Sequence, residues 1–230
     1  MDQRNQRQNN SKVATAGIIL AGGQSRRMGR DKALLDIGGQ TVIERVVAAV
    51  QPCVDQMCLA SALDRQYDVL NIPLAQDEFP GAGPLSGLYA GMNTLDAEWY
   101  VLSACDLPFA STTLLNLLLH EAYNSEVQYD GTPTVQAVVP TYKQRTHPLY
   151  AVYHHSVRAS LATSLQQGRL KVMDWLGQHH VRKLSMEDIL RTQPSDMQGD
   201  LTAWCLHNMN DPQAYEQARK LHIVPKPFDS

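Results

Sequence analysis

The feature that most constrains this 230-residue chain is a short apolar run that meets glycine and then dense positive charge. Ala16-Gly17-Ile18-Ile19-Leu20 has no polar residue to turn toward water. A run of this length and character reads as a strand buried on both faces, as in parallel sheets covered by helices. The same rhythm recurs: Gln56–Ala60, Trp99–Ala104 and Ala137–Pro140 read as further short strands. Helical segments lie between and beyond them. Thr41–Val50 places Val42, Val46, Val47 and Val50 on one face and stops at Pro52. Pro84–Asn93 carries proline at its start, and Ser111–Tyr123 has a capping serine and a leucine stripe. Asp211-Pro212 opens a last helix through Leu221. Strands alternating with helices predict βαβ units, an α/β fold and a mostly parallel sheet. In such sheets ligands bind beyond the carboxyl ends of the strands.

Composition narrows the function. The chain is 43% hydrophobic and 19% charged, enough to build a core without disulfides. Twenty Lys+Arg against 23 Asp+Glu leave a net charge of −3, which argues against a dedicated nucleic-acid binder. No apolar run approaches the ~18 residues of a membrane span, and the first residues are polar rather than signal-like. The expectation is a cytoplasmic protein with no membrane partner. Cysteines 53, 58, 105 and 205 form no CxxC pair, so free thiols are expected. Residues 1–12 read as a disordered arm, 13–224 as a single domain and 225–230 as a tail.

The first strand is followed by Leu20-Ala21-Gly22-Gly23-Gln24-Ser25-Arg26-Arg27-Met28-Gly29-Arg30-Asp31-Lys32. Glycines let a backbone turn tightly and bring its N–H groups close to a ligand, and cations beside them suit a polyphosphate. Neither common phosphate pattern fits. GxxxxGK[ST] fails because Asp31 precedes Lys32, and GxGxxG fails at Gly22-Gly23-Gln24. A second landmark is Asp106, directly after the third strand and before Leu107-Pro108. A carboxylate there can hold Mg²⁺, which takes one or two carboxylates together with substrate phosphates. Its neighbour Cys105 has no activating base in sequence and reads as a packing residue.

Together, LAGGxSxRMGxDKxLL and CDLP resemble the signature loops of nucleotidyltransferases that join a nucleoside triphosphate to a phosphorylated acceptor. The LAGG form with its short MG-x-DK loop is most similar to the molybdenum cofactor guanylyltransferases. The resemblance runs from about Gly17 to Leu221 and implies a Rossmann-like, three-layer nucleotidyltransferase fold. It implies transfer of GMP from GTP to molybdenum-molybdopterin, with Mg²⁺ as cofactor and release of pyrophosphate. Apo-molybdoenzymes or their chaperones would be further partners. By the same resemblance Leu20, Ala21, Gly22 and Gly23 meet the nucleotide through backbone groups, Arg27 and Lys32 hold the triphosphate, and Asp106 holds the metal. Asp77, shortly before Gly83-Pro84-Leu85, would contact the nucleotide, and the small residues from Gly83 would lie beside the guanine.

Where the family carries a nucleotide-contacting Asn after its second strand, this chain has Ala60 or Ser61. The HP pair at His147-Pro148 and the NxNxP-like turn at Asn208-Met209-Asn210-Asp211-Pro212 match positions near the acceptor pocket. Asn208 and Asn210, two apart, can face one way in an extended segment, where they could hydrogen-bond a polar acceptor such as a pterin phosphate or help the metal. Gly168-Arg169-Leu170-Lys171 could add charge for the acceptor, whereas His154-His155 and His179-His180 read as surface. Two rival readings stay open. One is the same fold acting with CTP or on a phosphosugar. The other is a non-catalytic nucleotide-binding delivery factor.

Overall fold

The computed structural model describes residues 14–21, 31–61, 67, 70–128, 133–193 and 199–223. The expected arm and tail, and Gly22, Gly23 and Arg27 of the basic loop, lie outside these residues.

Among the described residues eight strands form one sheet: β1 (Thr15–Leu20), β2 (Gln56–Ala60), β3 (Leu74–Ala75), β4 (Trp99–Ala104), β5 (Ala137–Tyr142), β6 (Arg145–Thr146), β7 (Tyr150–His154) and β8 (Val181–Ser185). Their order is β3-β2-β1-β4-β7-β5-β6, with β8 also on β5. The first half matches the parallel expectation, since β1 runs parallel to both β2 and β4. Beyond β4 the sheet becomes mixed: β7 is antiparallel to β4 and to β5, whereas β8 is parallel to β5. The β5–β6 hairpin turns through Lys143 and Gln144, both left-handed at φ 48° and 62°. Two such residues make the tight turn whose twist suits a hairpin. The Lys143 N–H donates to Glu187 Oε1 at 2.6 Å, which pins the turn.

Among the described residues there are seven α-helices: α1 (Val42–Val50), α2 (Pro84–Thr94), α3 (Thr112–Tyr123), α4 (Arg158–Gln166), α5 (Val172–Leu176), α6 (Met186–Thr192) and α7 (Pro212–Ile223). Side chains cap the starts of α1 and α3, at α3 by the serine the sequence offers. The Thr41 and Glu44 side chains form a reciprocal capping box on α1, and Ser111 Oγ accepts from the Leu114 N–H at the start of α3. Alternation along the strands sorts the core into two faces. Ile18, Leu20, Tyr100, Leu102 and Tyr153 pack with α2, α4 and Trp175 of α5. Ile19, Leu59, Trp99, Val101 and Val152 pack with α1, α3 and Met186 of α6. Three layers result, with the sheet in the middle and its central strands β1, β4 and β7 buried throughout. A third, smaller cluster of Ile37, Val42, Met209 and Ala218 joins α7 to the start of α1.

The helix α2 approaches β1 closely because it presents glycine to it. A Cβ on Gly87 would stand 2.5 Å from Leu20 Cδ2, and one on Gly91 would stand 2.5 Å from Ile18 Cδ1. The small residues of this helix therefore make room for side chains of β1. Two histidine assignments need correction. His154 is buried, its ring edge-on to Trp99 with centroids 4.9 Å apart. His179 is half-buried against Trp175 and shares a 2.8 Å hydrogen bond with Ser160 Oγ. His155 and His180 are exposed as expected. All four cysteines are free.

Candidate active site

The site lies where β1 and β4 end side by side. The two strands pair up to Leu20 and Ala104, and the Cys105 N–H then donates to the Leu20 carbonyl at 3.1 Å. Ala21 continues the other edge, its N–H donating to the Ala60 carbonyl at 2.9 Å. The Ala21 N–H is thereby used within the sheet, whereas the Leu20 carbonyl keeps a second lone pair. Ala60 and Ser61, which stand where the family has an Asn, are both buried.

Past the basic loop, Asp31 caps a short 3-10 turn over Lys32–Leu34, with its Oδ1 accepting from the Ala33 N–H at 2.9 Å. Its Oδ2 accepts from the Tyr67 hydroxyl at 2.6 Å. Tyr67 is buried, and burial followed by the hydrogen bond to Asp31 pushes its pKa far up. The hydroxyl therefore stays a donor that fixes the residue before Lys32. Sequence reading missed this anchor, because an isolated tyrosine between strands carries no pattern.

Asp106 is half-buried at the start of the β4–α3 loop. Burial raises its pKa, opposed by a hydrogen bond from Asn208 and by the charge of Lys32. The segment around Asn208 closes over it. Asn208 Nδ2 donates to Asp106 Oδ1 at 3.1 Å, and the Met209 N–H donates to the Asp106 carbonyl at 2.9 Å. Lys32 Nζ donates to Asn210 Oδ1 at 3.3 Å. One three-residue segment thus ties the lysine to the carboxylate across 102 and 178 positions of sequence. The two asparagines, read from sequence as contacts for a polar acceptor or as help for the metal, here touch Asp106 and Lys32 directly. Cys105 packs beside them, its thiol pushed up to about 12 by burial and then by the charges of Asp106 and Asp31. That fits the packing role and leaves no thiolate nucleophile.

Among the described residues no cluster of three or more His, Cys, Asp or Glu could hold a metal ion. A carboxylate outside any such cluster, on which burial weighs against the charged form, fits a hard cation that takes its remaining ligands from phosphates and water. It does not fit a structural zinc site.

The remaining candidates are more dispersed. Asp77 Oδ1 accepts from the Phe79 N–H at 2.9 Å and from the Ser86 hydroxyl. It braces the loop that ends at Gly83, the left-handed N-cap of α2 at φ 78°. His147 is half-buried, with its pKa lowered by burial and then by Arg145. Its Nε2 is buried without a hydrogen-bond partner, as is that of His207 beside Asn208. Lys171, offered as acceptor charge, lies 4.0 Å from Asp174.

Comparison with known proteins bears directly on this arrangement. Residues 17–183 match the family model described as the MobA-like NTP transferase domain. A Bacillus mycoides protein named "Probable molybdenum cofactor guanylyltransferase" is 32% identical over 210 residues, covering 89% of this chain and 96% of its own length. A Bacillus anthracis protein of the same name gives the same identity and coverage. Among solved structures, molybdopterin-guanine dinucleotide biosynthesis protein A from Archaeoglobus fulgidus superposes with a TM-score of 0.70 at 22% identity, covering 90% of this chain and 97% of that one. A Thermus thermophilus 2-C-methyl-D-erythritol 4-phosphate cytidylyltransferase gives 0.63 at 18%, covering 92% and 99%. The structural likenesses show the shared fold. The sequence identity, held over nearly the whole of both chains, shows common descent: this chain belongs to the MobA-like NTP transferase family and is a nucleotidyltransferase.

Proposed function

We propose that the enzyme transfers GMP from GTP to molybdenum-molybdopterin, forming the guanine dinucleotide cofactor and releasing pyrophosphate. The observation that carries this is the apposition of Lys32 and Asp106 at the carboxyl ends of β1 and β4, bridged by Asn208 and Asn210. The names of the similar Bacillus proteins supply the base and the acceptor.

The chemistry asks little of the protein beyond placement. A phosphate monoester has a second pKa near 6, so the acceptor is largely anionic at neutral pH and needs no general base. Its oxygen attacks the α-phosphorus of GTP in line. A phosphoanhydride forms as the bond to the β-phosphate oxygen breaks, and the pair of electrons leaves with pyrophosphate. Lys32, with Arg27, neutralises the charge that gathers on the departing group. Asp106 would hold Mg²⁺, oriented by the Asn208 amide, and the ion would supply charge neutralisation at the reacting phosphates. Backbone groups around Leu20 to Gly23, the braced loop at Asp77 and Gly83, and the wall at Ala60 form the donor side. His147, Asn208 and Asn210 form the acceptor side. One domain carries both sides. Reduced thiols and the proposed acceptor fit a cytoplasmic location.

The test is pyrophosphate release by purified protein with Mg²⁺ and molybdenum-loaded molybdopterin, comparing GTP, CTP, ATP and UTP. Release with GTP alone is expected. Release with CTP alone would keep the reaction and overturn the base. Absence of release with every nucleotide, in protein that binds GTP, would overturn transfer in favour of a delivery role.

A further inference from the structure

The third apolar cluster is built in a way that bears on turnover. It stands apart from the two cores that flank the sheet and takes one side chain from each stretch that carries chemistry. Leu35 lies three residues after Lys32, Phe109 lies three residues after Asp106, and Met209 lies between Asn208 and Asn210. Met209 is completely buried there, against Ile37, Val42 and Ala218 of α7. Its own N–H donates to the Asp106 carbonyl at 2.9 Å. The helix behind it is fixed by a separate contact, the Tyr215 hydroxyl donating to the Asp36 carbonyl at 2.9 Å. Asp211 Oδ1 caps the helix by accepting from the Ala214 N–H at 2.8 Å.

From this construction we infer that α7 and Met209 act as a clamp that sets the distance between Lys32 and Asp106, with Met209 and Tyr215 as positioning residues. The inference rests on the reading of those two groups as phosphate and metal ligands. Side chains in a packed cluster have discrete resting places, so a wedge that fills one fixes the loops around it. A displacement of about 1 Å between reacting groups can cost on the order of a hundredfold in rate. The donor wall of β1, β2 and α2 makes no use of this cluster. Loosening the clamp therefore strikes the transfer step harder than nucleotide binding, which Lys32 shares with that wall.

The experiment compares wild type, Met209→Ala, Met209→Leu and Tyr215→Phe in steady-state transfer, with GTP affinity measured separately by calorimetry. Met209→Ala is expected to lower kcat about tenfold or more, while the Kd for GTP stays within about threefold. Met209→Leu, close in volume, restores kcat. Tyr215→Phe keeps the ring, loses only the hydroxyl bond and lowers kcat a fewfold. Unchanged kcat in folded Met209→Ala, or a Kd that worsens in step with kcat, overturns the clamp. If Met209→Ala does not fold, Tyr215→Phe decides by the same criteria. If wild type performs no transfer with any nucleotide, the functional reading falls and the clamp is judged by amide hydrogen exchange. Faster exchange through 32–37 and 106–110 in Tyr215→Phe upholds it, and unchanged exchange overturns it.

Discussion

Asp106 illustrates how one residue is placed at a cost to the fold. Burial raises its pKa, so the folded protein disfavours the charge that a metal ligand needs. An acid whose folded pKa is raised binds more protons folded than unfolded, and its charge opposes folding once pH exceeds the ordinary value. Asp106→Asn is therefore expected to raise the melting temperature of the ligand-free protein at pH 7 by about 1–4 °C. The same substitution should lower turnover about a thousandfold or more, which scanning calorimetry and the pyrophosphate assay check together. Loss of both stability and activity would count against the assignment. His154 works in the opposite direction. Burial, and then the neighbouring His155, lower its pKa from 6.5 to about 4. Its Nδ1 accepts from the Ser156 N–H, so the neutral ring is the one that fits. Between pH 6.5 and about 4 the unfolded chain binds the extra proton, so stability is lost as pH falls through that window, by up to roughly 3 kcal/mol. Melting curves from pH 7 to 4 should show the decline, and His154→Phe should flatten it. At this scale the sequence was legible where spacing and residue type carry chemistry: Lys32, Asp106, Asn208 and Asn210 converge. It was silent on Tyr67 and misleading on His154, since a lone ring has no periodicity to reveal its burial.

Helices and strands were legible in proportion to how much apolar pattern each needs. The strand β1, the helix α1 and the helix α3 bury broad faces and stand within a residue of where sequence placed them. Between 142 and 192 the sequence reading assigns no helix or strand. The helix α4 buries only Leu161, Ser164 and Leu165, and β8 is an outer strand of Val-Arg-Lys-Leu-Ser with no residue fully buried. Neither offers enough contrast to stand out. Close packing between α2 and β1 gives a direct test. At Gly91 a methyl group would meet Ile18 Cγ1, Cγ2 and Cδ1, all within 2.7 Å. Gly91→Ala should therefore destabilise by about 1–3 kcal/mol, despite the better helix propensity of alanine. A second test concerns α3, whose amino end is capped from 87 to 89 residues away. The Asp200 carboxylate accepts from Ser111 Oγ and from the Thr112 and Thr113 N–H groups at 2.7–3.0 Å. Asp200→Ala should cost about 2 kcal/mol, read as a lower urea midpoint with an unchanged slope.

Across the whole molecule, one continuous sheet joins a parallel half to a mixed half at the β4–β7 pair. The alternation rule foresaw the first half, because βαβ units repeat there; the second half turns back on itself through a hairpin whose turn residues, Lys143 and Gln144, are not the usual ones. Trp99 belongs to the core on one face and Trp175 to the core on the other. If the domain is single, both faces melt together. Guanidinium transitions followed separately in Trp99→Phe and Trp175→Phe variants should coincide with that by circular dichroism, and separated midpoints would divide the chain. The Asn208–Asn210 segment bears on synthesis as well. Lys32 emerges from the ribosome 178 residues before the asparagine it meets, and Asp106 emerges 102 residues before its own. At ~5–20 residues per second the lysine waits for roughly 9–36 s. The nascent enzyme is thus chemically incomplete until residues 208–210 have been made, and any chain cut short before them is born without a finished site.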